Sequence, residues 1–170
     1  MKIIVAGTGF VDLTHAAVLS EYGHEVWAYD IDKQKIAAFE SGDHKKIEKY
    51  VNENGLSDII SETLNKYLFF TDNIDDVMEG TDAIFMCLPT PPNKDGSTNL
   101  TFYDNAAEHM AVLLANRKEK KRIVLVNKST VPIGTARHLQ EILIKHKVEN
   151  AGVASNPEFL PEGDAVEKSR

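Results

Sequence analysis

The chain is poor in the features that staple, anchor or steer a protein. Its 170 residues contain one cysteine, Cys87, which excludes an internal disulfide framework and fits a reducing cytoplasm. No apolar run approaches the roughly 20 residues that span a bilayer. Lys2 leads straight into a short strand and a glycine turn, so neither a signal peptide nor a membrane partner is expected. Positive charge is also scarce: 19 Lys and Arg face 26 Asp and Glu, for a net charge of −7, which argues against nucleic acid as a partner. The basic run Lys118, Lys120, Lys121, Arg122 is the exception, and it reads as a solvated helix C-terminus complementing the helix dipole. The six histidines show no metal spacing, so no metal site is expected.

With 42% hydrophobic and 26% charged residues, the chain is an ordinary globular sequence of single-domain size. Strands and helices alternate along it. Strands are predicted at Lys2-Ala6, Glu25-Asp30, Leu68-Phe70, Ala83-Leu88, Ile123-Asn127 and Gly152-Ser155. Helices are predicted near Val11-Tyr22, Lys33-Ser41, Ser57-Lys66, Asp75-Glu79, Leu100-Arg117 and Gly134-Lys147. Ala106, Met110, Leu113 and Leu114 mark one buried stripe, with His109 a structural neighbour of it. Gly42 to Asn54, polar and lysine-rich, reads as an irregular excursion. Near-continuous apolar strands such as Ile84 to Leu88 suggest a sheet covered on both faces. Together these features predict an α/β fold with a doubly wound parallel sheet.

The chemistry concentrates where strands end. Gly7-Thr8-Gly9-Phe10 follows the first strand and leads into a helix beginning near Val11, and Asp30 ends the next strand. This is the layout of a dinucleotide-binding unit: a helix N-terminus faces a pyrophosphate and an acid about twenty residues on holds a ribose. Asp30 favours NAD over NADP by repelling a 2′-phosphate; equally, a strand-terminal acid can cap the following helix. Lys35 either reaches the ribose edge or lies on a solvated helix face. Asp12 stands where a third glycine belongs, and like charges ~6 Å apart at an effective dielectric of ~20 repel by roughly 2–3 kcal/mol, so NAD affinity should fall. Alternatively, an acid in a first helical turn simply steadies its dipole. Cys87, inside an apolar strand, reads as a buried small hydrophobe. Ser129 and Thr130 after the fifth strand can hold a cofactor, water or substrate oxygen, or cap a helix. Glu158 and Glu162 would share one face of a helical turn, either as paired general-base groups or as a solvated acidic face.

In order, Gly7-Thr8-Gly9-Phe10-Val11, Asp30, Leu88-Pro89-Thr90-Pro91, Asp95-Gly96-Ser97, Lys128 to Gly134 and Asn156-Pro157-Glu158-Phe159-Leu160 resemble the UDP-glucose/GDP-mannose dehydrogenase family across the whole chain. The resemblance covers that family's N-terminal Rossmann-type NAD-binding domain, here a single domain over residues 1–170. It implies an oxidoreductase that converts the C6 hydroxymethyl of a nucleotide sugar to a carboxylate with NAD as oxidant. Gly7, Gly9, Phe10 and Val11 would contact the pyrophosphate, Asp30 and Lys35 the ribose, and Thr90 and Thr130 the nicotinamide side. Thr130 and Glu162 would place water and move protons, with Glu158 near the substrate. The family's thioester-forming cysteine, dimerising central helix and C-terminal uridine-binding domain find no counterpart in these residues. The 170 residues are therefore expected to be inactive alone, and a homodimer is implied only by resemblance. Two departures stand out: Asp12 at the third glycine and Pro161 where the family usually has arginine. A non-catalytic nucleotide-binding or interaction module is the alternative. A 3-hydroxyacyl-CoA or 6-phosphogluconate dehydrogenase would share the first unit but not the later motifs.

Overall fold

Short apolar strands can enter a core only if their backbone N–H and C=O groups pair. In the computed structural model, which describes residues 1–157 and 163–170, they pair in parallel throughout. Strands β1 (Lys2–Ala6), β2 (Glu25–Tyr29), β3 (Leu68–Thr71), β4 (Ala83–Met86), β5 (Ile123–Asn127) and β6 (Ala151–Ser155) form one six-stranded sheet. Its order, β3-β2-β1-β4-β5-β6, reverses direction between β1 and β4. Right-handed crossovers on either side of that reversal send helices to opposite faces, which is the doubly wound arrangement the alternation predicts.

Helices α1 (Phe10–Glu21), α2 (Lys33–Glu40), α3 (His44–Glu48) and α4 (Leu56–Thr63) serve the β1 to β3 half, and α5 (Thr101–Asn116) and α6 (Thr135–Lys145) the other. Because the strand period is two, β1 feeds both cores: Ile3 and Val5 join Leu13, Ala17, Phe39 and Ile60, while Ile4 and Ala6 join Ile84, Met110 and Leu139. A short α7 (Ala165–Ser169) closes the chain. It lies along α1, where Arg170 forms two bonds to Glu21 at 2.6 and 2.9 Å. Glu53, only 5% exposed, accepts the N–H groups of Gly163 and Ala165, each at 2.7 Å.

Several sequence expectations need correction. The stretch from Gly42 to Asn54 is not irregular: Asp43 accepts the N–H groups of Lys45 and Lys46 and nucleates α3, whose Ile47 is buried. Asp75-Glu79 is no α-helix but a single 3-10 turn, Ile74–Val77. The basic run is not a helix end, because α5 stops at Asn116 and the lysines lie in a loop tied to Glu79 through the Lys118 N–H at 2.9 Å. Nor is that loop wholly solvated, since Arg117 is 3% exposed with no hydrogen bond among the described residues to its guanidinium. The α5 stripe is also shifted, with Tyr103, Ala107 and Ala111 buried beside Met110 and Leu114. Among the described residues, no helix is long and apolar enough to cross a membrane.

His15, on α1, stands edge-on to Phe85 with ring centroids 4.6 Å apart, and its buried Nε2 has no hydrogen-bond partner among the described residues. Burial, reinforced by the Lys128 charge, lowers its pKa to about 4. The unfolded chain therefore binds a proton here near pH 6.5 that the folded chain refuses until about pH 4. Stability should accordingly fall as pH drops through that window, by up to ~3 kcal/mol. Urea unfolding at pH 7 and pH 4.5 should show this loss in the parent and a clearly smaller one in His15→Leu. An equal loss in both would refute the assignment.

Candidate active site and nucleotide cleft

The reversal between β1 and β4 opens a crevice beyond the carboxyl ends of the strands, the position where open α/β sheets bind ligands. A cavity of about 930 Å³ lies there. Gly7, Gly9, Phe10, Val11, Asp30, Lys35, Thr90 and Thr130 all line it, drawn from four separate strand ends.

The turn after β1 forms its floor. The Gly7 N–H donates to the Tyr29 carbonyl at 2.8 Å, and the Cys87 N–H donates to that of Ala6 at 2.9 Å, so the turn is pinned to β2 and β4 together. Gly7 has φ +124°, and a Cβ there would stand 2.1 Å from the Cys87 carbonyl oxygen. Only glycine fits. Gly9 then ends the turn as the N-cap of α1 in an ordinary extended conformation.

Asp12 behaves as a cap. Its Oδ2 accepts the Gly9 N–H at 3.0 Å, across the first turn of α1. The side chain curls back over the glycines and does not wedge α1 away from the sheet, since Ala16 and Ala17 remain wholly buried. Sequence reasoning allowed both this helix-steadying role and a charge beside the phosphate seat, and Asp12 does line the cavity.

Asp30 anchors the β2 side. Its Oδ2 accepts the Thr8 hydroxyl at 2.5 Å, the Thr8 N–H at 3.2 Å and the Lys35 ammonium at 2.7 Å. Among the described residues its Oδ1 accepts the Asp32 N–H alone, at 3.0 Å, so it keeps acceptor capacity. Burial alone would raise its pKa, but Lys35, Thr8 and the Asp32 amide together hold it below the ordinary carboxylate value. Asp30 is not the N-cap of α2; Asp32 is, accepting the Gln34 and Lys35 N–H groups.

On the β4 and β5 side, Ser129 Oγ accepts the Leu88 N–H at 2.7 Å and donates to the Leu88 carbonyl at 2.8 Å. Thr90 Oγ1 donates to the Thr130 carbonyl at 3.1 Å. Ser129 is thus a clasp between two loops, and α6 is instead capped at Gly134, which has φ +100°. Cys87 is buried, as its strand position suggested. The carboxylates Glu158 and Glu162, and Pro161, lie outside the described residues.

Sequence reasoning missed the wall opposite Asp30. Phe102, Asn105, Ala106, His109 and Met110 of α5 line the cavity with Ile31 and Ile74. His109 is at the rim, 3.2 Å from Asp75, and not merely beside a buried stripe. The signal available was the break in that stripe, where Asn105 and His109 interrupt apolar positions on the same helix. Among the described residues, no group of three or more His, Cys, Asp or Glu could hold a metal ion.

Known proteins share this architecture and sequence. The profile described as "UDP-glucose/GDP-mannose dehydrogenase family, NAD binding domain" matches residues 1–170. UDP-glucose 6-dehydrogenase TuaD of Bacillus subtilis is 38% identical over 168 residues, covering 97% of this chain and 34% of TuaD. The UDP-glucose 6-dehydrogenase of Pseudomonas aeruginosa is 34% identical over 176 residues, covering 100% of this chain and 37% of its own. Among solved structures, a UDP-glucose dehydrogenase from the hyperthermophilic archaeon Pyrobaculum islandicum is similar with a TM-score of 0.86 at 30% identity, covering 98% of this chain and 38% of that one. The chain spans about a third of the length of these two curated relatives.

The two glycines of the turn differ in a way that can be measured. Gly7→Ala combines positive φ with a backbone clash and should cost at least ~2 kcal/mol of stability. At Gly9, φ is −70° and a Cβ would meet only the flexible Asp12 carboxylate, at 2.9 Å. Gly9→Ala should therefore cost less than ~1 kcal/mol. Denaturant midpoints of the two variants check this, and equal losses would contradict it.

Proposed function

This chain belongs to the UDP-glucose/GDP-mannose dehydrogenase family and corresponds to its NAD-binding domain, and on that premise we propose that it holds NAD for oxidation of a nucleotide sugar's C6 hydroxymethyl to a carboxylate. The observation that carries this reading is the convergence of the glycine turn, Asp30 with Lys35, and Thr90 with Thr130 on one cavity.

The adenosine end of NAD fits the residues present. Asp30 Oδ1 would accept a ribose hydroxyl, Lys35 has donors to spare for its neighbour, and Ile31, Ile74 and Met110 would enclose the base. The diphosphate end fits less well, because the Asp12 carboxylate shares the Gly9 N–H toward which a phosphate would point. Repulsion of roughly 2–3 kcal/mol at ~6 Å then weakens NAD binding by tenfold or more. When bound, NAD supplies the hydride acceptor. The work of this chain is to orient it: Thr90 and Thr130 line the nicotinamide side, and Thr130 with Glu162 would place water and move protons, Glu158 lying near the substrate.

The 170 residues read as one nucleotide-binding domain, matching about a third of the length of the curated relatives. The family's sugar-linking thiol has no plausible stand-in here, since Cys87 is 5% exposed and its carbonyl packs against Gly7. Turnover by this chain alone is therefore not expected; the resemblance puts the substrate-selecting contacts, central helix and homodimer interface of family members outside the part that this chain matches. The single buried cysteine suits a cytoplasmic setting.

Two measurements test the reading. In calorimetric titrations NAD+ should bind better than NADP+, and Asp30→Ala should lose about tenfold in NAD+ affinity, the value of a charge-assisted hydrogen bond. Equal binding of both cofactors, unchanged in Asp30→Ala, would remove Asp30 from the ribose seat. Incubation of this chain with NAD+ and UDP-glucose should yield no NADH; steady formation of it would overturn the assignment of chemistry to other residues.

A further inference from the structure

Asp12 does something in this fold that a glycine in its place cannot. Its Oδ2 accepts the Gly9 N–H at 3.0 Å. The same oxygen lies 3.1 Å from the point where a Cβ on Gly7 would stand and 2.9 Å from that on Gly9. The carboxylate therefore covers the concave side of the turn, at the positive end of α1, and forms part of the cavity wall. A phosphate approaching this turn meets a resident anion already bonded to one of the donors it would use. To bind, it must either displace that cap or sit beside it against like charge.

The adenosine half of the cleft carries no such obstacle. Asp30 is held by Thr8, Lys35 and the Asp32 amide with acceptor capacity left on Oδ1, and Ile31, Ile74, Ala106 and Met110 offer an apolar slot. Resting on the nucleotide-site reading above, we infer that Asp12 is a built-in competitor for the diphosphate seat. The cleft then recognises its ligand through an adenine ribonucleoside end and gains little or nothing from the phosphates attached to it. The ligand class favoured is an adenine ribonucleoside, alone or as the end of a larger molecule.

The test is a graded series of ligands. Adenosine, AMP, ADP and NAD+ are titrated into the isotope-labelled chain and followed through the amide signals of Thr8, Gly9 and Asp32. In the parent, the four Kd values should fall within about threefold of one another. In Asp12→Gly, ADP and NAD+ should tighten by at least ~tenfold while adenosine stays within about twofold. Asp12→Asn removes the charge but keeps a first-turn acceptor, and should shift NAD+ in the same direction even if the glycine variant folds poorly. The inference alone fails if the parent binds NAD+ about tenfold or more tighter than adenosine and neither variant changes that ratio. If no ligand moves the cleft amides in any chain, the nucleotide-site reading itself falls, and the inference with it.

Discussion

The close passage of the β1–α1 turn across the end of β4 governs the rest of this cleft. Gly7 lies so near the Cys87 carbonyl that a Cβ would stand 2.1 Å from it. That approach lets β1 pair with β2 on one side and β4 on the other, which places the strand-order reversal at the turn itself. It also aims the start of α1 over the crevice. With the turn seated, Asp30 at the end of β2 and Thr90 after β4 fall on either side of it, with Thr130 beyond β5. The cavity is a consequence of that packing more than of any single lining residue.

How the walls are held follows a common pattern: one polar side chain satisfies the backbone or charge of a neighbouring loop. Asp30 gathers Thr8, Lys35 and the Asp32 amide. Ser129 exchanges two bonds with Leu88, bringing the loops after β4 and β5 together so that Thr90 can reach the Thr130 carbonyl. The Thr8–Asp30, Lys35–Asp30 and Leu88–Ser129 bonds are partly buried, where leaving a polar group unpaired costs more than at the surface. Preorganisation of this kind is what a binding site for a flexible ligand needs.

Much of this was legible in the sequence, and for physical reasons. All six strands announce themselves as short apolar runs, with Gly7 directly after β1, Asp30 after β2 and Asp72 after β3, and the glycine turn needs its glycines whatever the rest of the chain does. What escaped notice depends on contacts between distant segments. Helix α3 rests on one local cap, Asp43, inside a stretch whose lysines disguise the buried Ile47. Arg117 looks like one more solvated base until the loop folds it under. The role of α5 as a cavity wall is hidden because Ala106 and Met110 look identical whether an apolar helix face meets a core or a cleft. Ser129 could not be told from a helix cap, since its partner Leu88 is remote in sequence.

Asp12 is the position where local and global demands meet. A helix start leaves N–H groups that something must accept, and an acid in the first turn is the cheapest local answer. A dinucleotide cradle needs those same groups left open for an incoming phosphate. One N–H cannot serve both ends at full strength. With glycine at this position that N–H depends on a ligand for its partner; with aspartate it is satisfied beforehand. The Gly9–Asp12 bond therefore moves free energy from binding into folding, so the domain is expected to hold its cleft shape without a ligand and to respond less when one arrives. The Asp30 side is subject to no such exchange, because Asp30 lines the cavity while Thr8, Lys35 and the Asp32 amide hold its carboxylate in place. On the proposed nucleotide reading, affinity in this cleft is thus set by how much of a ligand's recognition can be carried by its ribose and base.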